Sequence, residues 1–156
     1  MNLRTNVVDL WVFHKRDTEP KYLLLQTSQE KADKWFNGSR FWQIPGGFLE
    51  EGDELADVMR QWLAEYTLTP KGIWAAEYVS CYYNIRRKNL ELTPAFAAQV
   101  EVPVDVPLTW HHSEFGWFTV DECKQRLVFR GLLEGLDSVR EHVSEVEAPH
   151  GALRIL

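Results

Sequence analysis

The sequence predicts one α+β domain over residues 1–156, and three observations support that prediction. The length is close to the usual size of a single domain. Runs rich in β-forming residues and amphipathic helical segments follow each other in the order strands, helix, strands, helix. No internal repeat, low-complexity segment or linker divides the chain.

The first strands are predicted from short runs rich in aliphatic and β-branched residues. Asn6–Phe13 and Lys21–Gln26 predict a hairpin, because a charged turn that ends in proline separates them. Thr27–Arg40 is polar and predicts a loop. Phe41–Ile44 predicts a brief strand that stops at the Pro-Gly-Gly that follows it.

Glu54–Leu68 has the period of an amphipathic helix. Its apolar side consists of Leu55, Val58, Met59, Trp62 and Tyr66. Asp53 is the predicted N-cap, and Pro70 lies just beyond the end. We therefore predict a helix that packs its apolar side on the sheet and presents a charged side to solvent.

Two long stretches rich in β-forming residues follow, Gly72–Arg86 and Thr93–Val102. The turn between them contains Arg86, Arg87 and Lys88. We expect this basic turn to be a solvated tip, with contact to a phosphate as the alternative. Glu114–Thr119 predicts the last strand.

The C-terminal part predicts two helices. Val120–Gln125 predicts a short helix with Asp121 as its cap. Leu132–Val146 predicts a helix because its apolar residues recur at helical spacing. The tail from Pro149 to Leu156 carries no clear pattern.

Composition and charge restrict the classes of function. Lys and Arg number 17 and Asp and Glu number 23, so the formal net charge is −6. An acidic domain lacks the positive field that holds a nucleic acid polymer, although a small phosphorylated ligand remains compatible. Cys81 and Cys123 cannot form a disulfide framework and fit a reducing compartment. The chain has no membrane-length apolar run and no signal core, so we expect a soluble cytoplasmic protein without membrane contact.

The segment Gly46–Leu68 carries the chemistry. The double glycine at its start, Gly46-Gly47, suits a sharp turn or a close approach of the backbone to a ligand. Six acidic residues surround the start of the predicted helix: Glu50, Glu51, Asp53, Glu54, Asp57 and Glu65. Carboxylates are the hard oxygen donors that Mg²⁺ and Mn²⁺ use. The alternative is that these acids only interact favourably with the helix dipole.

The same segment resembles the motif of the Nudix hydrolases, G-x5-E-x7-R-E-U-x-E-E-x-G-U, where U is bulky and apolar. The matching residues are Gly47, Arg60, Trp62, Glu65 and Leu68. The Pro-Gly before the motif, the acidic turn Glu50-x-Gly52 and the late strand that begins Glu114-Phe115-x-Trp117 are also similar, so the resemblance covers roughly residues 6–143. It implies a Nudix α/β/α sandwich with a mixed β-sheet, and metal-dependent hydrolysis of nucleoside diphosphates linked to another group.

The motif is degenerate where the family places negative charge. The segment between Gly47 and Arg60 is one residue short, so either Asp53 or Glu54 fills the first acidic position. Three further replacements are Gln61 for the Glu after the Arg, Ala64 for the first of the paired glutamates, and Thr67 for the Gly. Because Gln61 carries no charge and Ala64 offers no ligand, we expect Mg²⁺ or Mn²⁺ to bind weakly.

The resemblance also assigns candidate roles. The catalytic candidates are Arg60, Gln61, Glu65 and Glu114, and the ligand-binding candidates are Gly46, Gly47 and Glu50. The metal-ligating candidates are Glu65, Asp53, Glu54 and Asp57. Arg60 is expected to order the loop by pairing with one of its acids, Asp53, Glu54 or Glu50. Asp57 has an alternative role as a partner of Arg60 or Gln61 one helical turn away.

A second polar cluster, His111-His112-Ser113-Glu114, precedes the last strand. In a fold of this kind Glu114 would offer a late carboxylate, and one of the histidines would serve as acid or base near neutral pH. An exposed loop is the alternative. Glu77, in the preceding long strand, is a further candidate for the cleft.

Two functions remain open from the sequence. The first is a Nudix-type pyrophosphohydrolase of weakened activity, acting on a nucleoside triphosphate or another nucleoside diphosphate-linked compound. The alternative is a catalytically impaired Nudix fold that binds a nucleotide or a protein. A small nucleotide-like molecule is the expected partner in the first case, and the resemblance adds a possible homodimer.

Overall fold

An eight-stranded mixed β-sheet forms the centre of the protein, in a computed structural model that describes all 156 residues. The strands are β1 (Leu3–Arg4), β2 (Val7–His14), β3 (Lys21–Thr27), β4 (Trp42–Gln43), β5 (Gly46–Phe48), β6 (Pro70–Asn84), β7 (Asn89–Val100) and β8 (His112–Phe118). The helices are α1 (Gln29–Trp35), α2 (Leu55–Glu65), α3 (Val120–Arg126) and α4 (Arg130–Val139). A π-helical turn at Arg140–Ser144 continues α4, and Gly151–Leu153 forms a 3-10 turn.

Strands β2 and β3 diverge in the centre of the sheet, and the gap between them holds β5, which we call the glycine strand because it begins with Gly46 and Gly47. β2 pairs in parallel with β7, and it pairs with β3 only at Phe13–Tyr22 and His14–Lys21, which confirms the predicted hairpin. Beyond those pairs the two strands diverge. β4 and β5 fill the gap, because β4 pairs with β3 and β5 pairs with β2. β6 and β8 are the outer neighbours, of β7 and of β3.

Two apolar layers pack the helices on opposite faces of the sheet. On one face Trp11 and Phe13 pack against α3 and α4 through residues such as Leu136. On the other face Leu10 packs in a second cluster with Met59 from α2. The alternation of side chains along a strand produces both layers from one run of apolar residues. The predicted α/β/α sandwich is therefore confirmed.

Helix α1 lies where the sequence predicted only a loop. The hydroxyl of Ser28 accepts a hydrogen bond from the backbone N–H of Lys31 and caps the helix at 3.0 Å. Ala32 is the one buried residue in its seven residues. A helix this short, with one small buried residue, has no apolar period to detect.

The Pro-Gly-Gly segment is a strand and not the predicted turn. Gly46 and Gly47 pair with Asp9 and Val8 as part of β5, and neither has a positive φ. A Cβ at Gly46 would overlap the carbonyl oxygen of Val8, and one at Gly47 would lie 2.7 Å from the ring of Trp62. Glycine is needed here for close packing and not for a left-handed turn.

Two predicted helix caps are wrong. Asp53 does not cap α2; its carboxylate accepts the backbone N–H of Glu50 at 2.8 Å and closes the preceding turn, while Glu54 is the N-cap without a side-chain bond. At α3 the cap is Thr119, which forms a reciprocal capping box with Glu122, and not Asp121. At α2 no side chain caps the free N–H groups, and at α3 the capping residue lies two positions before the predicted one.

The remaining elements agree with the prediction in type and differ in their ends. α2 buries Met59 and Leu63 most deeply, although Leu63 was not in the predicted apolar stripe. The helix predicted from Leu132 begins at Arg130, and at Val139 it changes to the π-helical turn. No helix combines the length and the apolar character that crossing a lipid bilayer requires.

Candidate functional site

Helix α2 presents its motif residues to solvent, on the side away from the apolar core. Arg60, Gln61, Ala64 and Glu65 are all exposed. The guanidinium of Arg60 donates to the carboxylate of Asp57 at 3.1 Å, which confirms the alternative reading of Asp57. Arg60 pairs with none of the three loop acids that were its expected partners. An exposed pair at this spacing contributes only a few tenths of a kcal/mol, on the order of 0.3.

The four candidate metal ligands do not form a preformed site. Asp53 is bound to the loop backbone, Asp57 is paired with Arg60, and Glu54 is an exposed helix cap. Glu65 is the last residue of α2. No group of three or more His, Cys, Asp or Glu side chains anywhere in the chain converges in a way that could hold a metal ion. The residues present therefore do not fit a divalent ion held by protein ligands alone.

The end of α2 keeps the geometry of the family motif after losing its glycine. The N–H of Leu68 donates to the carbonyl of Leu63, and the N–H of Thr67 donates to Ala64, both at 2.9 Å. This pair of bonds is a Schellman cap, whose second-last residue adopts the left-handed conformation. Thr67 accordingly has a φ of 60°. A β-branched residue is strained there, and the glycine of the motif would not be.

Glu114 and the α2 residues lie on opposite faces of the sheet. Phe115 and Trp117 belong to the layer under α2, and Phe118 belongs to the layer under α4. Glu114 alternates with Phe115 and pairs with Gln26 of β3, so it shares the face of Phe118. The structure therefore does not bring Glu114 together with Glu65, contrary to the expectation of a shared metal or water.

The histidine pair is not poised for acid–base work. The imidazole of His112 is hydrogen-bonded to Gln43 at 2.6 Å, and burial, together with the charge of Lys31, lowers its pKa to about 3. His112 is therefore neutral at pH 7 and cannot donate a proton as an imidazolium. Burial also lowers the pKa of His111, whose ring lies 4.1 Å from that of Trp110.

Glu77 and the basic turn both lie at the surface. Glu77 lies exposed in a bulge of β6 with a φ of 57°, and its carbonyl accepts a bond from Ser138 of α4. Arg87 folds back on the sheet end, 4.0 Å from Glu91 and with its guanidinium carbon 4.7 Å from the centroid of the Phe48 ring. Arg86 reaches the ring of Trp35. The turn is exposed, as predicted, and two of its arginines also lie against aromatic rings.

Asp9, a half-buried acidic residue beside β5, was not among the site residues predicted from the sequence. Asp9 lies between Gly46 on β5 and Ala95 on β7. Burial, together with the charge of Glu91, raises the pKa of Asp9 to about 7. A charged residue inside an otherwise apolar β run was the available signal, because such a residue must face either a cleft or a partner.

Glu91 and its neighbours continue this polar surface along β7. Glu91 is 1% exposed and accepts hydrogen bonds from the hydroxyl of Tyr82 at 2.7 Å and the amide of Asn84 at 2.9 Å. Thr93, two residues further along, is 2% exposed, and its hydroxyl has no hydrogen-bond partner. Asp9, Glu91 and Thr93 therefore lie on the same face of the sheet, on the paired strands β2 and β7.

Comparisons with known proteins match this architecture. A family model described as the NUDIX domain matches residues 3–135. The NUDIX domain of Shewanella oneidensis NrtR, solved with ADP ribose, superposes with a TM-score of 0.68 at 21% identity, over 92% of this chain and 90% of that one. An Ap4A hydrolase of C. elegans gives 0.70 at 16% identity, covering 92% and 99%.

A third solved structure is also similar, whereas the curated proteins contain no match. The MutT protein of Methanosarcina mazei has a TM-score of 0.67 at 17% identity, with 92% of this chain and 99% of that chain covered. No curated protein matches the sequence significantly. At these identities the structural neighbours show a shared fold, and the family model shows that the likeness extends over most of the sequence.

Proposed function

The chain belongs to the Nudix family, and on that premise we propose that it binds a nucleoside diphosphate-linked compound at the glycine strand and hydrolyses it weakly or not at all. The observation that supports the proposal is the loss of motif glutamates from α2. Gln61 and Ala64 stand where the family motif has glutamates, and the remaining candidate acids do not converge. The loss of these two carboxylates supports binding without efficient hydrolysis.

The glycine strand and its polar neighbours support the binding half of the proposal. Gly46 and Gly47 expose backbone between β2 and β4, next to the carboxyl of Asp9. The exposed backbone of Gly46 and the carboxyl group of Asp9 offer polar contacts to a ligand. Two structural neighbours have names that refer to ADP ribose and to Ap4A, which are both nucleoside diphosphate-linked compounds.

A weakened pyrophosphohydrolase using Mg²⁺ or Mn²⁺ is the second candidate function. Glu65 is retained at its motif position, and in magnesium sites the phosphates of the substrate often complete a ligand set of one or two carboxylates. A bound divalent ion would stabilise the negative charge that develops as water attacks phosphorus. The Gln61 side chain can orient a water molecule but cannot act as a general base.

A turnover screen with restored carboxylates separates the two functions. Release of phosphate or pyrophosphate is measured over nucleoside triphosphates, ADP ribose and Ap4A, with Mg²⁺ and with Mn²⁺. The double variant Gln61→Glu/Ala64→Glu returns two charges to an exposed face that the fold tolerates. We expect slow or absent wild-type turnover, measurable nucleotide binding, and tighter metal binding in the double variant.

A matched control tests whether the added net charge alone tightens metal binding. The variant Gln125→Glu/Ala148→Glu makes the same two substitutions at exposed positions away from α2. It should leave metal affinity within about twofold of wild type, because exposed charges more than a Debye length apart, about 10 Å, are screened. Strong turnover by the wild-type protein that Gln61→Glu/Ala64→Glu leaves unchanged would overturn the proposal. It would favour an active pyrophosphohydrolase.

A further inference from the structure

A cluster of basic and aromatic side chains stands at the end of the sheet where β5 ends. It combines three residues of α1, one residue of the β6–β7 turn and two residues before β8. These are Lys31, Lys34, Trp35, Arg86, Trp110 and His111, and we call them the basic cluster. The concentration of positive charge is notable in a protein whose net charge is −6.

The cluster spans the sheet end by a contact between distant parts of the chain. The guanidinium carbon of Arg86 lies 3.9 Å from the centroid of the Trp35 ring. Trp35 belongs to the connection between β3 and β4, whereas Arg86 lies beyond β7, on the other side of β2. The contact therefore passes in front of the ends of β2 and β5. Phe48, the last residue of β5, lies under two further guanidinium groups.

The charges of the cluster have no acidic partner. Neither Lys31 nor Arg86 takes part in any of the ion pairs of the protein. Burial, together with the charge of Arg86, lowers the pKa of Lys31 to about 8, and no carboxylate opposes this effect. Lys31 lies one helical turn before Trp35, the residue on which Arg86 is stacked, so the two cations face the same region without a counter-ion. An anion placed between them removes their mutual repulsion.

The chemistry of the two side chains favours a phosphate group. Stacking on Trp35 fixes the plane of the Arg86 guanidinium and leaves the N–H groups at its edge available. A planar guanidinium donates two parallel hydrogen bonds to phosphate oxygens, and a lysine adds a mobile point charge. Lys31 has already lost much of its hydration to burial, so a bound anion need not displace that water.

We propose that Lys31 and Arg86 bind a phosphate group of a ligand that lies across the ends of β2 and β5. The proposal rests on the proposed function only in assigning that phosphate to a nucleotide. It requires no hydrolysis and none of the acidic residues of α2.

The test measures binding of two probes to the full chain in the presence of EDTA. Inorganic tripolyphosphate reports the phosphate contact alone, and ADP reports the same contact within a nucleotide, with adenosine as the probe that lacks phosphate. Isothermal titration is compared for wild type, Lys31→Met, Arg86→Gln and Lys31→Arg. The control Arg16→Gln removes the same charge from an exposed arginine of the β2–β3 turn.

We expect Lys31→Met and Arg86→Gln each to weaken binding of tripolyphosphate and ADP by about tenfold or more, as charged hydrogen bonds do. Lys31→Arg and Arg16→Gln should stay within about threefold of wild type, and adenosine should bind equally to all. Both weakening variants should fold, because Ser28 caps α1 through the backbone of Lys31 and Arg86 lies in a surface turn.

The outcomes separate this proposal from the proposed function. Absence of tripolyphosphate binding, or affinities that Lys31→Met and Arg86→Gln leave unchanged, overturns the phosphate site. If ADP binds every variant with equal affinity, the phosphate site is refuted, whereas the proposed binding of a nucleotide is not. Tripolyphosphate binding that depends on both residues, with no selective binding of any nucleotide, supports the phosphate site and removes the nucleotide function.

Discussion

Replacing Asp9 with Asn should make the stability of the protein far less sensitive to pH. Asp9 lies within β2, between Gly46 and Ala95, where surrounding atoms bury its carboxyl group. Burial and the nearby charge of Glu91 raise its pKa from 3.8 to about 7, and no hydrogen bond offsets them. Asn has the size of the protonated acid and no charge.

The sign and size of the effect follow from proton linkage. The folded state holds the proton more tightly than the unfolded state, so the stabilisation is fully present below about pH 4. It is lost as the pH rises towards the folded pKa of about 7 and changes no further above it. A difference of roughly three units corresponds to about 4 kcal/mol, at about 1.4 kcal/mol for each unit.

The assay is urea unfolding of wild type and Asp9→Asn between pH 4 and pH 8, in EDTA. We expect the two proteins to be about equally stable at pH 4. At pH 8 the variant should be more stable by about 4 kcal/mol, with the gap opening mainly between pH 4 and pH 7. Asp105→Asn, which removes an exposed carboxylate, is the control and should follow wild type within about 0.5 kcal/mol.

Two results would refute this reasoning. One is an Asp9→Asn variant no more stable than wild type at pH 8, which would mean that the carboxylate of Asp9 is stabilised by groups that the structure does not show near it. The other is a stability difference that is independent of pH, which would reflect packing and not ionisation.

Three further predictions concern stability and are measured by the same unfolding assay. Thr67→Gly should stabilise the protein by about 1 kcal/mol by relieving the positive φ at the end of α2, whereas Thr69→Gly, outside that position, should not stabilise it. Gly47→Ala should destabilise by about 1–3 kcal/mol because the new methyl group meets the ring of Trp62; a neutral result would show that the ring moves freely. Thr119→Ala should cost about 1 kcal/mol through loss of the capping box of α3, and an unchanged midpoint would contradict that role.

The sequence predicted the features that depend on neighbours in the chain. Helix α2 follows from its apolar period, and the Arg60–Asp57 pair follows from helical spacing alone. The strands follow from β-rich runs, and the family motif follows from fixed spacings within one segment. The prediction failed where local signals compete, as at the caps of α2 and α3, and where they are weak, as in the seven residues of α1.

The tertiary structure decided which of these residues meet. Strand alternation puts Glu114 on the face of the sheet opposite α2, so the structure does not bring Glu114 and Glu65 together. The divergence of β2 and β3 places Asp9 beside Gly46, and the fold brings Arg86 onto Trp35 across the sheet end. These contacts join residues 37 and 51 positions apart, and their closeness depends on strand pairing and register, which a run of sequence does not encode locally.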